Sequence, residues 1–225
     1  MNALNVSRTL ALSLALLAAG CLHAPRAQQQ AAAQRRTFAP QAVPGARLAE
    51  APRFAAVKLR GFRCLPPFDS RPLIVRRPGG EVAADFYNSW VAAPHDLLRA
   101  QTARHLERTG LFTALYDAAS GTLPPLGLEG VVGELALDYT GARPAAALTL
   151  RLLVLDERAP DFAVLFSCER SARVPFDPGP ADAGVRALNE ALSNVLEALG
   201  RDLADAPLPQ PPHGSALPHA TPRHP

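Results

Sequence analysis

The last long apolar-patterned segment places the strictest limit on what this chain can fold into. Between about residues 181 and 203, Val185, Leu188, Leu192, Val195, Leu196, Leu199 and Leu203 recur three or four apart, the period of one helix face. The other face carries Arg186, Asn189, Glu190, Asn194 and Glu197. Such a helix buries one side only, so the rest of the chain must offer it an apolar surface.

Strands supply that surface. Apolar and polar residues alternate over about residues 54–62, with Val57 and Leu59 set against Lys58 and Arg60, as in a half-buried strand. Residues 71–77 read as a second strand, with Pro72 at its start where a missing donor is tolerated. Pro78-Gly79-Gly80 then turns the chain, and residues 81–87 return as a third strand. Pro94 opens a helix that carries Leu97, Leu98, Thr102 and Leu106 and stops near Gly110. A short strand over 111–116 is followed by three longer ones, at about 128–139, 145–156 and 162–174, whose brief interruptions read as hairpins. The pattern predicts one α+β domain: a mainly antiparallel sheet of about five to six strands with two helices packed on one face.

The N-terminus has a different character. Arg8 is the one charge in residues 1–20, and residues 9–19 are uncharged and apolar. That run is too short for the roughly 20 residues of a membrane span, but it suits a secretory leader of about 7–15 apolar residues. Ala18-Ala19-Gly20 and then Cys21 follow. The stretch resembles a bacterial lipobox, departing from it in Ala18, where leucine is usual, with Leu17 one place earlier. This implies cleavage before Cys21 and acylation of its sulfur, and Leu22 after it favours the outer membrane. The expected organisation is a signal peptide over 1–20, a lipidated N-terminus and flexible tether over 21–50, a folded domain over 51–204, and a disordered Pro/His-rich tail over 205–225. His213, His219 and His224 in that tail are too widely spaced, on too little support, to read as metal ligands.

Removing residues 1–20 takes only Arg8 from the 23 basic residues and leaves the 20 acidic ones intact. That near balance gives no electrostatic case for nucleic acid. With Cys21 acylated, Cys64 and Cys168 remain. In an oxidising compartment they either pair, if their Cα atoms come within roughly 4.4–6.8 Å, or stay as buried free thiols. Both readings are open at this point. No catalytic pattern emerges: there is no GxSxG elbow, phosphate loop or dinucleotide glycine motif, and no HExxH joins His95 to His105. Asp69, Asp85, Asp96 and Glu107 are scattered as turn, cap and surface carboxylates are. No catalytic residue, metal or cofactor is expected.

One segment is more particular. Pro66-Pro67-Phe68-Asp69-Ser70-Arg71-Pro72-Leu73-Ile74-Val75-Arg76-Arg77 leads to Asp85-Phe86-Tyr87-Asn88-Ser89-Trp90, then Pro94-His95-Asp96-Leu97-Leu98 and Gly110-Leu111-Phe112. This run resembles the ABC-type transport auxiliary lipoprotein family, the PqiC-like lipoproteins, over about residues 54–203 and most specifically 66–112. The resemblance implies a non-catalytic lipoprotein of the outer membrane, facing the periplasm. It would accompany an MCE-type ABC system that moves phospholipids or other hydrophobic molecules between membranes, with an MCE-domain protein and the ABC permease and ATPase as partners.

Arg71, Arg76, Arg77, Tyr87 and Trp90 are the candidate partner-binding side chains, because Arg, Tyr and Trp dominate binding hot spots. The competing reading packs Phe86 and Trp90 beneath the first helix and leaves the arginines solvated. An exposed strand edge would allow a homo-oligomer or strand addition by a partner. Two other functional readings stand beside the transport one: a structural or assembly lipoprotein of the envelope, and a periplasmic hydrolase, which would need a deep pocket of convergent polar groups.

Overall fold

The computed structural model describes residues 34–211, so Cys21 and the three tail histidines lie outside the described residues. The elements in order are β1 (Arg36–Phe38), β2 (Val57–Cys64), β3 (Pro72–Arg76), β4 (Val82–Trp90), α1 (Pro94–Thr109), β5 (Leu115–Tyr116), β6 (Leu126–Asp138), β7 (Ala145–Asp156), β8 (Val164–Pro175) and α2 (Ala181–Ala204).

The sheet is organised around β6. One edge of this 13-residue strand pairs antiparallel with β7, which pairs antiparallel with β8. Its other edge is shared by two strands laid end to end and both parallel to it: β2 along Leu126 to Val132, and β3 along Ala136 to Asp138. The chain thus follows β6 as one interrupted strand. Leu65 still donates its amide to Val132 O at 2.9 Å before the chain leaves the ladder. The excursion places Phe68 in the core, 5% exposed. β4 and then β1 extend the sheet beyond β3, and β5 extends it beyond β2.

The expectation of a mainly antiparallel sheet of five to six strands is therefore corrected. The sheet is mixed and has eight strands, with parallel pairings at β1/β4, β2/β5, β2/β6 and β3/β6. The reason is that β2 and β3 are joined across space to a strand about sixty residues further on, and no local pattern encodes that pairing.

The two helices cover one face, as the one-sided pattern of α2 requires. Leu188, Leu192, Leu196, Leu199 and Leu203 are all buried, against β7 and β8, while α1 lies over β2. Each buried leucine contributes roughly 1.5–3 kcal/mol, so this stripe weighs heavily against a net stability of about 5–15 kcal/mol. Pro94 occupies the first turn of α1, and Gly110 ends it at φ 70°. A side chain at Gly110 would also meet Ala49 O at 2.8 Å, so both conformation and space select glycine there.

Residues 36–50, which carry no periodicity in sequence, lie on the domain: Arg36 makes a two-pronged ion pair with Asp182 at 2.6 and 2.7 Å. The amides of Gln41 and Val43 donate to Asn189 Oδ1 and Ser193 Oγ at 2.9 and 2.8 Å. Those of Leu48 and Ala49 donate to Thr109 O. An extended segment without periodicity still docks when side chains on the helices satisfy its backbone donors. The start of the C-terminal tail behaves alike: Ala206 and Leu208 are buried, and Ala55 donates its amide to Pro209 O at 3.2 Å.

The sheet's second face is polar. Arg60 reaches Glu129 and Glu157, Arg151 reaches Glu169, and Arg76 and Arg173 converge on Glu134.

Candidate functional site

The β3–β4 hairpin holds the five side chains singled out for partner binding, and the structure separates them. Trp90 is core, 3% exposed. Its amide donates to Arg71 O at 2.7 Å, and Arg71 in turn donates from Nε to Trp90 O and from Nη2 to Val91 O, both at 3.1 Å. Arg71 is thus a clamp that closes the hairpin. Arg76 is paired with Glu134 and lies over the Phe68 ring, 5.5 Å from its centre. Arg77 pairs with Glu81 at 2.8 Å on the surface, with both side chains more than half exposed. Of the five, Arg71, Arg77 and Tyr87 are exposed to solvent, Arg71 with its guanidinium engaged by the hairpin backbone. Of the two readings of Trp90, partner-binding and packed, the structure supports the packed one: β4 delivers it beside Phe38 of β1, where apolar contact outweighs exposure.

What the hairpin does present is an aromatic bulge. Pro72 lies opposite Ser89 and Ile74 opposite Ala84, so two steps along β3 are matched by five along β4. The surplus bows out at residues 85–88. Asp85 fixes this shape: its Oδ1 accepts from the amides of Tyr87 and Asn88 at 2.8 and 3.0 Å, and its Oδ2 accepts from the Asn88 side chain at 2.9 Å. Short polar side chains that bond their own backbone two or three residues on are turn formers. The bulge throws Phe86 and Tyr87 outward, 67% and 46% exposed. They stack edge to face with centroids 5.1 Å apart, and the Arg35 guanidinium sits 4.6 Å from the centre of the Phe86 ring. Sequence reasoning missed Phe86, Asp85 and Arg35 as a unit. The available signal was two adjacent aromatics in a strand that otherwise alternates.

Two clefts of similar size open on the domain, one of them beside the hairpin. One, of about 480 Å³, lies between the bulge and the start of α2 and is lined by Arg77, Asp85, Asn88 and Tyr139 among others. Burial pushes the Tyr139 phenol up, with the nearby Asp85 carboxylate acting in the same direction. The second, of about 460 Å³, lies between residues 41–44 and α1, with Gln101, Arg104, Glu107 and Arg108 on its walls. His105 also lines it, 4% exposed, with Nδ1 lacking a hydrogen-bond partner. Burial lowers the His105 pKa, with Glu197 pulling weakly the other way. Neither lining contains a serine, threonine or cysteine beside a histidine. Among the described residues no three His, Cys, Asp or Glu side chains converge as metal ligands.

Cys64 and Cys168 are both free. They sit on β2 and β8 with β6 and β7 between them, three strand spacings or roughly 14 Å apart, far outside bonding range. Of the two readings left open by the sequence, the structure supports free thiols. Burial pushes Cys64 up to about 12, helped by Asp69, and Cys168 up to about 11, helped by Asp202. Such thiols are poor nucleophiles.

No protein-family model matches the sequence, and no curated protein matches it. Among solved structures, the chain is similar to a DUF330 family protein of Xanthomonas campestris, with a TM-score of 0.62 and 22% identity over 73% of this chain and 92% of that one. It is also similar to a structure described only as an uncharacterized protein, with a TM-score of 0.54 and 12% identity over 72% and 99% of the two chains. A lipoprotein from Neisseria meningitidis aligns over 68% and 99% of the two chains at 13% identity, but its TM-score of 0.39 is too low to argue from. At these identities the likeness establishes architecture: the chain has the α+β fold of the DUF330 structure.

Proposed function

We propose that this chain is a non-catalytic lipoprotein anchored through Cys21 to the outer membrane and facing the periplasm, where it serves as the auxiliary component of an MCE-type ABC transport system for phospholipids or other hydrophobic molecules. The observation that carries the reading is the fold shared with the DUF330 protein over 73% of the chain. That fold falls on the region whose sequence resembles the ABC-type transport auxiliary lipoproteins. The chemistry of the domain fits: burial pushes the pKa of its two thiols up and that of its buried histidine down. The helix face of the sheet is consumed by core packing, so the polar face with its alternating Arg and Glu is the surface offered to a protein partner.

The test is an affinity pull-down of the acylated protein from envelope membranes, read by mass spectrometry beside a Cys21→Ala control. Recovery of an MCE-domain protein with its permease, lost in the control, is the expected result. Recovery of outer-membrane assembly proteins alone would replace this reading with that of a structural envelope lipoprotein.

A further inference from the structure

The aromatic bulge is an unusual surface. Two large adjacent rings are exposed, Phe86 by two thirds and Tyr87 by nearly half, although aromatic side chains carry the largest apolar area of any residue. They are held there by Asp85, whose carboxylate satisfies three donors of the bulge. The exposure is therefore built into the strand.

What covers the rings follows from where the chain enters the domain. Arg35, whose guanidinium lies over Phe86, immediately precedes β1, and β1 pairs with β4 from Arg36↔Asn88 to Phe38↔Trp90. The N-terminal chain thus joins the fold beside the bulge. Because the chain is docked on the domain from Arg35 onward, the stretch from Cys21 to Arg35 is all that separates the lipidated residue from the rings, and its fully extended length is at most about 50 Å. A domain of this size is itself about 40 Å across. A short leash attached beside an exposed aromatic pair brings that pair, before other parts of the surface, to whatever the leash is fixed in. Rings with an apolar body, a phenolic hydroxyl on Tyr87 and an arginine next to them suit the headgroup layer of a bilayer, where aromatic side chains concentrate and cationic ones meet phosphate.

We propose that Phe86 and Tyr87, with Arg35, form a membrane-contacting tip that seats the domain against the phospholipid surface holding its own anchor. This rests on the reading of Cys21 as the lipidated residue. The tip then fixes which way the polar sheet face points, so that a leash acts as an oriented mount.

The test uses the acylated full chain in vesicles of phosphatidylethanolamine and phosphatidylglycerol containing doxyl-labelled lipid. Cys64 and Cys168 are replaced by serine, and a fluorophore is placed on Ala84→Cys, next to the bulge, or on Ser171→Cys, on β8. Quenching of the Ala84 probe alone is expected, and Phe86→Ser with Tyr87→Ser should abolish it while the protein still floats with the vesicles. Flotation with equal quenching of both probes, or with none of either, overturns the tip and leaves the anchor standing. Flotation no better than that of Cys21→Ala overturns the anchor, and the tip with it.

Discussion

Arg173 on β8 donates from Nη2 to Asp138 Oδ2 at 2.6 Å, reaching across β7 to the end of β6. Burial pushes the Asp138 carboxyl up, but the Thr140 hydroxyl, Arg173 and the Thr140 amide outweigh it and hold the group at about 2. The pair thus joins three strands through one buried carboxylate, 4% exposed.

Because the folded pKa of Asp138 lies below the ordinary 3.8, its contribution to stability is complete above that value and is lost as pH falls through about 2. Asp138→Asn should cost about 1–2 kcal/mol at pH 7. Urea unfolding of wild type and variant is the measurement. The gap should close between pH 4 and pH 2, and a gap that stays constant would show that the charge on Asp138 contributes nothing.

His105 has the opposite pH signature from a histidine whose pKa is raised by an acidic partner. Its folded pKa is lowered by burial, so below about 6.5 the unfolded chain takes up a proton that the folded chain refuses. Stability is fully present above that pH and erodes as the pH falls below it. Thermal melts of wild type should drop from pH 7 to pH 5, whereas His105→Phe should be flat over that window. Equal slopes for the two proteins would assign the loss to other groups.

The free thiols make a chemical prediction. With Cys64 and Cys168 pushed up to about 12 and 11, iodoacetamide at pH 8 should leave both unmodified in the native protein and alkylate both in denaturant. Peptide mapping after oxidation should recover no Cys64–Cys168 link. A link recovered from native protein would contradict the strand order.

Trp90 and Phe86 should differ sharply although they are four residues apart on one strand. Trp90→Ala removes a buried indole and should cost about 3–5 kcal/mol, enough to threaten folding. Phe86→Ala is a surface change and should stay within about 0.5 kcal/mol. Trp90 is the sole tryptophan, so its native emission should be blue-shifted and should move red as the protein unfolds. Equal costs for the two substitutions would mean the bulge is packed.

The legible parts of this chain were those whose pattern and partner are both local. α2 announced its apolar stripe residue by residue, and the β6–β7–β8 meander followed from short breaks between long strands. Gly110 marked the end of α1 because few residues accept its backbone angle. The pairing of β2 and β3 with β6 was not legible, since alternation in Val57, Leu59 and Phe62 says that a face is buried and says nothing about which strand lies alongside. The docking of residues 36–50 was hidden for a related reason: their hydrogen-bond partners, Asn189, Ser193 and Thr109 among them, lie up to 150 positions away. In the candidate site, the two strands of the hairpin and their turn were legible, but the sequence could not tell buried Trp90 from exposed Tyr87, because that choice depends on the bulge Asp85 makes between them.

The shared edge of β6 also bears on the order in which the domain can assemble. β2 has its principal ladder partner, and β3 the partner of one of its two edges, in a strand that begins at Leu126, so those edges must wait unsatisfied until it is made, even though β3 and β4 can already pair. From Leu126 onward the contacts are hairpins and an adjacent helix, which close quickly, whereas seating β2 and β3 requires a long loop to be shut and is the slow step. Maturation should therefore proceed backwards along the chain, with β6, β7, β8 and α2 forming a template onto which the older N-terminal half is then laid.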